Sequence, residues 1–238
     1  MKSLSIYSGF TQFVFKKVII SAAVLSAGLS QYSVAAGISL GSTRLIYPQT
    51  EKQVSITVNN SDTKGSYLIQ TWVSDAQGEK SAGFVVTPPL FVLKPGKMNV
   101  LRIMYVGPEL PKDKETVFYL NNKAIPSVNK TAIAGNTLQI ATQSVIKLFV
   151  RPARLAMKSA DAPAMLRCKA SNGSVIVTNP SPYFITLVNL TVGGKKLPNT
   201  MVPPQGEQTV TAAASAGAVS LQTVNDYGAI TPAQTCNG

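Results

Sequence analysis

Lys147 is the one charge inside the run Val145-Ile146-Lys147-Leu148-Phe149-Val150. An ammonium among apolar residues is costly unless it meets an anion or reaches water. The chemistry on offer is electrostatic: either a snorkelling strand lysine or a cation held ready for a carboxylate. Other chemistry is scarce. The chain has no histidine, which removes Ser-His-Asp and Cys-His machinery and histidine-ligated zinc or haem. The 10 acidic residues show no paired spacing suited to carboxylate catalysis. There is no P-loop and no Gly-x-Gly-x-x-Gly. The residues therefore argue against an enzyme, and no cofactor or metal is expected.

Lys147 lies in a stretch, Asn136 to Val150, that begins with alternation over Leu138, Gln139, Ile140, Ala141, Thr142 and Gln143. Period two predicts a strand covered on one face. The strand belongs to a long procession of short β-type runs. Candidates are Ser42 to Tyr47, Gln53 to Val58, Tyr67 to Ser74, Phe84 to Val86, Leu90 to Leu93, Asn99 to Tyr105 and Glu115 to Asn121. Turn residues such as Asp75-Ala76-Gln77-Gly78 and Lys94-Pro95-Gly96-Lys97 separate them. Prolines recur too often for long helices. About seven short strands over about 115 residues predict an immunoglobulin-like sandwich, with Trp72 packed between its sheets.

After Arg151-Pro152-Ala153-Arg154 a second set follows: Leu166 to Lys169, Ser174 to Thr178, Tyr183 to Val192, Gln208 to Thr211 and Ala218 to Val224. It predicts another sandwich of about 80 residues. The fold class is thus all-β, with two immunoglobulin-like β-sandwich domains, residues 37–153 and 154–238, joined near 151–158. Lys147 falls near that join.

Residues 1–36 read as a secretory signal peptide. Lys2, Lys16 and Lys17 precede the apolar stretch Val18 to Leu29, which is too short to span a bilayer, and Val34-Ala35-Ala36 supplies small residues before a cut. No stable membrane insertion is expected after cleavage. Losing three lysines and no acid lowers the formal charge from +12 to +9. The basic residues are scattered without an aromatic platform, so a partner with acidic groups is favoured over nucleic acid. In an oxidising compartment Cys168 and Cys236 most simply make one disulfide, with two buried thiols as the alternative. Such a bridge closes a loop of roughly 70 residues and is worth about 4 kcal/mol by chain entropy.

A set of phrases resembles the periplasmic pilus-assembly chaperones, the PapD-like family. They are Gly41-Ser42-Thr43-Arg44-Leu45-Ile46-Tyr47-Pro48, Tyr67-Leu68-Ile69-Gln70-Thr71-Trp72-Val73, Thr87-Pro88-Pro89-Leu90 and Leu110-Pro111-Lys112-Asp113-Lys114-Glu115-Thr116. Ala124-Ile125-Pro126, the Lys147 strand through Arg151-Pro152-Ala153, Asn179-Pro180-Ser181-Pro182-Tyr183 and Asn225-Asp226-Tyr227-Gly228 continue it in order. The resemblance implies a boomerang arrangement of the two domains and a periplasmic location. It also implies that the last strand of domain one is lent to fimbrial subunits, which then pass to an outer-membrane usher. It makes Arg44 and Lys147 the anchor for the subunit's terminal carboxylate. Leu138, Ile140 and Thr142 become the donor side chains, Thr142 standing where the family usually has a bulky aliphatic residue. Glu115, Arg151 and Asp226 become an interdomain charged trio. The short loop Ser127 to Gly135 resembles the subgroup serving rod-like, adhesin-tipped pili. By its residue type alone, Arg44 reads as a solvated strand arginine.

By strict alternation Lys147 has the opposite parity to Leu138 and Ile140. The strand either bulges after Thr142 or turns its other face to the cleft. Two other functions compete. A pilin or adhesin should have a truncated sandwich and a free N-terminal extension, whereas Gly37 leads almost directly into a strand. A carbohydrate-binding module or enzyme should show aromatic platforms or paired acids, and neither cluster is evident.

Overall fold

The computed structural model describes residues 37–127, 139–171, 173–211 and 217–236. The first domain runs β1 (Ile38–Leu40), β2 (Arg44–Pro48), β3 (Val54–Asn60), β4 (Tyr67–Ser74), β5 (Phe84–Thr87), β6 (Leu90–Leu93), β7 (Met98–Tyr105), β8 (Thr116–Pro126) and β9 (Thr142–Arg151). They form a four-stranded sheet, β1-β3-β7-β5, and a five-stranded sheet, β2-β9-β8-β4-β6. Alternation decides which side chains enter the core. Ile56, Val58, Leu101 and Ile103 from one sheet meet Ile69, Val73, Leu120, Leu148 and Val150 from the other. The Asp75–Gly78 turn closes as its composition predicts, with Gly78 at φ 89° and the Asp75 carboxylate accepting from the Gln77 and Glu79 amides.

The second domain runs β10 (Arg167–Ser171), β11 (Ser174–Asn179), β12 (Ile185–Val192), β13 (Lys195–Lys196), β14 (Thr200–Val202), β15 (Gly206–Thr211), β16 (Val219–Thr223) and β17 (Gln234–Cys236). One sheet is β10-β11-β15; the other is β13-β12-β16-β17, with β14 also on β12. Val175, Val177, Leu187, Leu190 and Leu221 fill the space between them. Cys168 on β10 and Cys236 on β17 form a disulfide, S–S 2.05 Å, which ties the two sheets together.

Two expectations need correction. Trp72 is only partly buried and stands outside the core, because Ile69, Thr71 and Val73 take the inward parity of β4 and leave Trp72 on the outer face. The Lys147 strand begins at Thr142 rather than Asn136. Continued by two more pairs, the β8–β9 register would set Ile140 against Pro126, which has no N–H to give the ladder. Residues 1–36, the loop from Val128 and Leu138 lie outside the described residues. The short strands β1, β13, β14 and β17 were not expected at all.

The parity question is also answered. Pairing of β8 with β9 runs from Thr116↔Val150 to Ala124↔Thr142 without a bulge. Thr142, Ser144, Ile146, Leu148 and Val150 therefore share the inner face, and Lys147, Phe149 and Arg151 face the other way.

Candidate functional site

Strand β2 pairs with β9 in parallel, Arg44 opposite Lys147 and Pro48 opposite Arg151. This short ladder brings Arg44, Lys147, Phe149 and Arg151 onto one outward face, which meets the second domain. Phe149 packs on Phe184 with ring centroids 5.8 Å apart. Arg44 lies 5.9 Å from the Phe149 ring centroid.

The cations at the head of the ladder are held by neutral groups. Arg44 Nη1 donates to the Val224 carbonyl at 2.9 Å, and Lys147 Nζ donates to Thr186 Oγ1 at 3.0 Å. Thr186 and Val224 are themselves joined, since the Val224 amide donates to the Thr186 carbonyl at 3.1 Å. Arg44 is 9% exposed, and its Nε is buried without a hydrogen-bond partner. The reading of Arg44 as a solvated residue is therefore corrected: its place beside β9 carries it under the second domain. Among the described residues no carboxylate forms an ion pair with Arg44 or Lys147. Burial first, and Arg44 second, push the Lys147 ammonium down to about 8. Burial also lowers Arg44, against the pull of Asp226 and Glu115. Two like charges, Arg44 buried and Lys147 half-buried, in contact with carbonyl and hydroxyl oxygens make a site suited to an anion.

At the foot of the ladder the charges are matched. Arg151 Nε donates to Glu115 Oε1 at 2.7 Å, and its Nη1 and Nη2 donate to the two oxygens of Asp226 at 2.7 and 2.8 Å. The guanidinium stacks 5.0 Å from the Tyr183 centroid. Glu115 Oε2 also accepts from the Phe184 amide at 2.9 Å, and Asp226 Oδ2 from Ser159 Oγ at 2.8 Å. Burial pushes the Glu115 carboxyl up against Arg151 and the Phe184 amide. For Asp226 burial acts the same way, but the bonds from Arg151 and Ser159 outweigh it and hold the carboxyl below its usual range. The structure thus brings Glu115, Arg151 and Asp226 together across the two domains.

Away from the second domain, β9 changes character. Its pairing with β2 stops at Lys147, so among the described residues Thr142 to Ile146 pair with β8 alone. Thr142, Gln143, Ser144 and Val145 are exposed on both faces, and Ile140, just before the strand, is 66% exposed. Among the described residues an open sheet edge with an exposed inner face thus ends at buried Arg44 and half-buried Lys147. Thr186, Val224, Ser159 and Tyr183 were not anticipated; a threonine, a main-chain carbonyl, a serine and a tyrosine carry no distinguishing pattern in the sequence.

Two family models cover most of this architecture. The one described as "Pili and flagellar-assembly chaperone, PapD N-terminal domain" matches residues 37–156, and "Pili assembly chaperone PapD, C-terminal domain" matches residues 161–235. The chain is 47% identical over 221 residues to the probable fimbrial chaperone protein ElfD of Escherichia coli K12, across 92% of this chain and 94% of that protein. It is 44% identical over 220 residues to the chaperone protein FimC of the same strain, across 92% and 90%. Among solved structures, the periplasmic chaperone SfaE matches with a TM-score of 0.76 at 42% identity, covering 85% of this chain and 100% of that one. A chain in the Salmonella enterica complex of SafA pilin with the SafB chaperone matches with a TM-score of 0.79 at 28% identity, covering 87% and 98%. With both domains matched and relatives aligned along nearly their full length, the chain belongs to the PapD-like pilus-assembly chaperones.

Proposed function

We propose that the chain is exported with residues 1–36 removed, and that in the periplasm it captures fimbrial subunits by donor-strand complementation and passes them to an outer-membrane usher. The observation that carries this reading is the open half of β9, an edge that among the described residues is unpaired and ends at two cations without a carboxylate partner. Strand addition to an exposed edge is the mode already known from chaperone–pilin complexes. A subunit strand whose terminal carboxylate sits between Arg44 and Lys147, and which extends back toward Thr142, runs parallel to β9 and in line with β2. Charge-assisted bonds to both cations set its register. Leu138, Ile140 and Thr142 supply the side chains that enter the subunit's groove, and Glu115, Arg151 and Asp226 hold the domains around the site. Residues 37–153 and 154–238 serve as the two domains, and binding, without catalysis, is the activity. Naming of the full-length relatives as chaperones favours this over a structural subunit.

Co-expression tests the reading. Arg44→Ala and Lys147→Ala should remain folded and exported, yet a fimbrial subunit produced alongside should be degraded and should not co-purify. Subunit recovered at the native level with either variant overturns the anchor.

A further inference from the structure

The inner face of the five-stranded sheet is ordered in rows that run from β4 through β8 to β9. Ile69, Ala124 and Thr142 make one row; Val73, Leu120 and Ile146 make another. Between them lies a polar row, Thr71, Asn122 and Ser144. Thr71 is 3% exposed and Asn122 is 2% exposed, and Asn122 Nδ2 donates to Thr71 Oγ1 at 2.9 Å. A buried amide is tolerated in a sandwich core because it is bonded; left unpaired, it loses more than the bond gains. The row does not end inside the domain. It runs out at Ser144, which is exposed and lies where β9 has lost β2.

A partner strand laid along this edge completes the sandwich and covers Ser144 together with its neighbours Thr142 and Ile146. The serine hydroxyl then leaves water with one donor and two acceptor positions to satisfy. An all-apolar groove strands that hydroxyl. A serine, threonine, asparagine or glutamine in the groove continues the row begun by Thr71 and Asn122. We infer that Ser144 is a specificity-determining residue, and that preferred subunits place a hydrogen-bonding side chain opposite it, between the positions facing Thr142 and Ile146. This rests on the donor-strand reading above and names the subunit chemistry that the strand selects.

The test uses the full chain and one fimbrial subunit that it captures, with the groove residue facing Ser144 made either asparagine or leucine. Ser144→Ala in the chaperone should weaken capture of the asparagine form about tenfold and leave capture of the leucine form equal or improved. Since Ser144 is exposed, this variant keeps the native fold. Equal affinity of native and Ser144→Ala chaperone for the asparagine form overturns the inference. Arg44→Ala, run in parallel, separates the two levels. If it abolishes capture while Ser144→Ala changes nothing, only the specificity inference fails; if capture survives Arg44→Ala, the donor-strand reading fails with it.

Discussion

From Lys147 to Arg151, β9 lies between β8 and β2, and its inward side chains Leu148 and Val150 are enclosed. From Thr142 to Ile146 the same strand has β8 on one side only, and most of its side chains meet solvent. Pairing to β8 continues unbroken through both halves. The difference lies in the neighbour, because β2 begins at Arg44. Where two neighbours flank the strand, apolar burial stabilises the domain; where one is missing, the same alternating pattern becomes a surface for recognition. The first is a folding device and the second, in the function proposed above, a binding device; they meet at Arg44 and Lys147.

The sharpest way to break the contrast is at that meeting point. Arg44→Ala or Lys147→Ala should abolish subunit capture with the fold intact, read by co-purification and circular dichroism. Next come matched truncations in the two halves. Leu148→Ala, at 0% exposure, should lower the free chaperone's stability by about 2–5 kcal/mol in urea unfolding. Ile140→Ala should leave that stability within about 0.5 kcal/mol while weakening capture. Equal stability losses would erase the distinction between the halves. Thr142→Leu should then shift affinities across a panel of subunits without altering unfolding; an unchanged panel would make Thr142 incidental.

The smallest effect is one of pH. Burial lowers the folded Lys147 below its unfolded value, to about 8. Between about 8 and the ordinary lysine range the unfolded chain binds the extra proton, so native stability should rise with pH across that window. Below it the buried charge is fully present, and Lys147→Met should be the more stable protein by about 1–2 kcal/mol, allowing for partial contact with water. Capture should move the opposite way, weakening as pH rises above about 8, because a neutral amine no longer attracts a carboxylate. A flat stability profile in the native chain, measured against Lys147→Met, would count against burial of the ammonium.

Much of this was legible in the sequence, and the losses have physical causes. Tyr67–Ser74 and Leu90–Leu93 fall where alternation and turn residues put them. Strands as short as Lys195–Lys196 are too brief to show a period. Alternation locates a strand but does not say which parity faces the core, hence the misplacing of Trp72. The parity of Lys147 needed the whole β8 register, a nonlocal property. Burial of Arg44 depends on a second domain that its own strand does not encode. Thr186 and Val224 hold the cations through groups that every chain possesses.

The length of β8 has a consequence for the rate of capture. By running on past Leu120 to Ala124 and beyond, it keeps Thr142–Ile146 extended before any subunit arrives. Fixing a backbone residue costs about 1–2 kcal/mol in lost entropy, and here that ordering is met during the chaperone's own folding. An incoming subunit therefore encounters a template already in shape, so the encounter need not wait for a loop to organise. Subunits that fold in competition with aggregation gain most from a template that is ready at first contact.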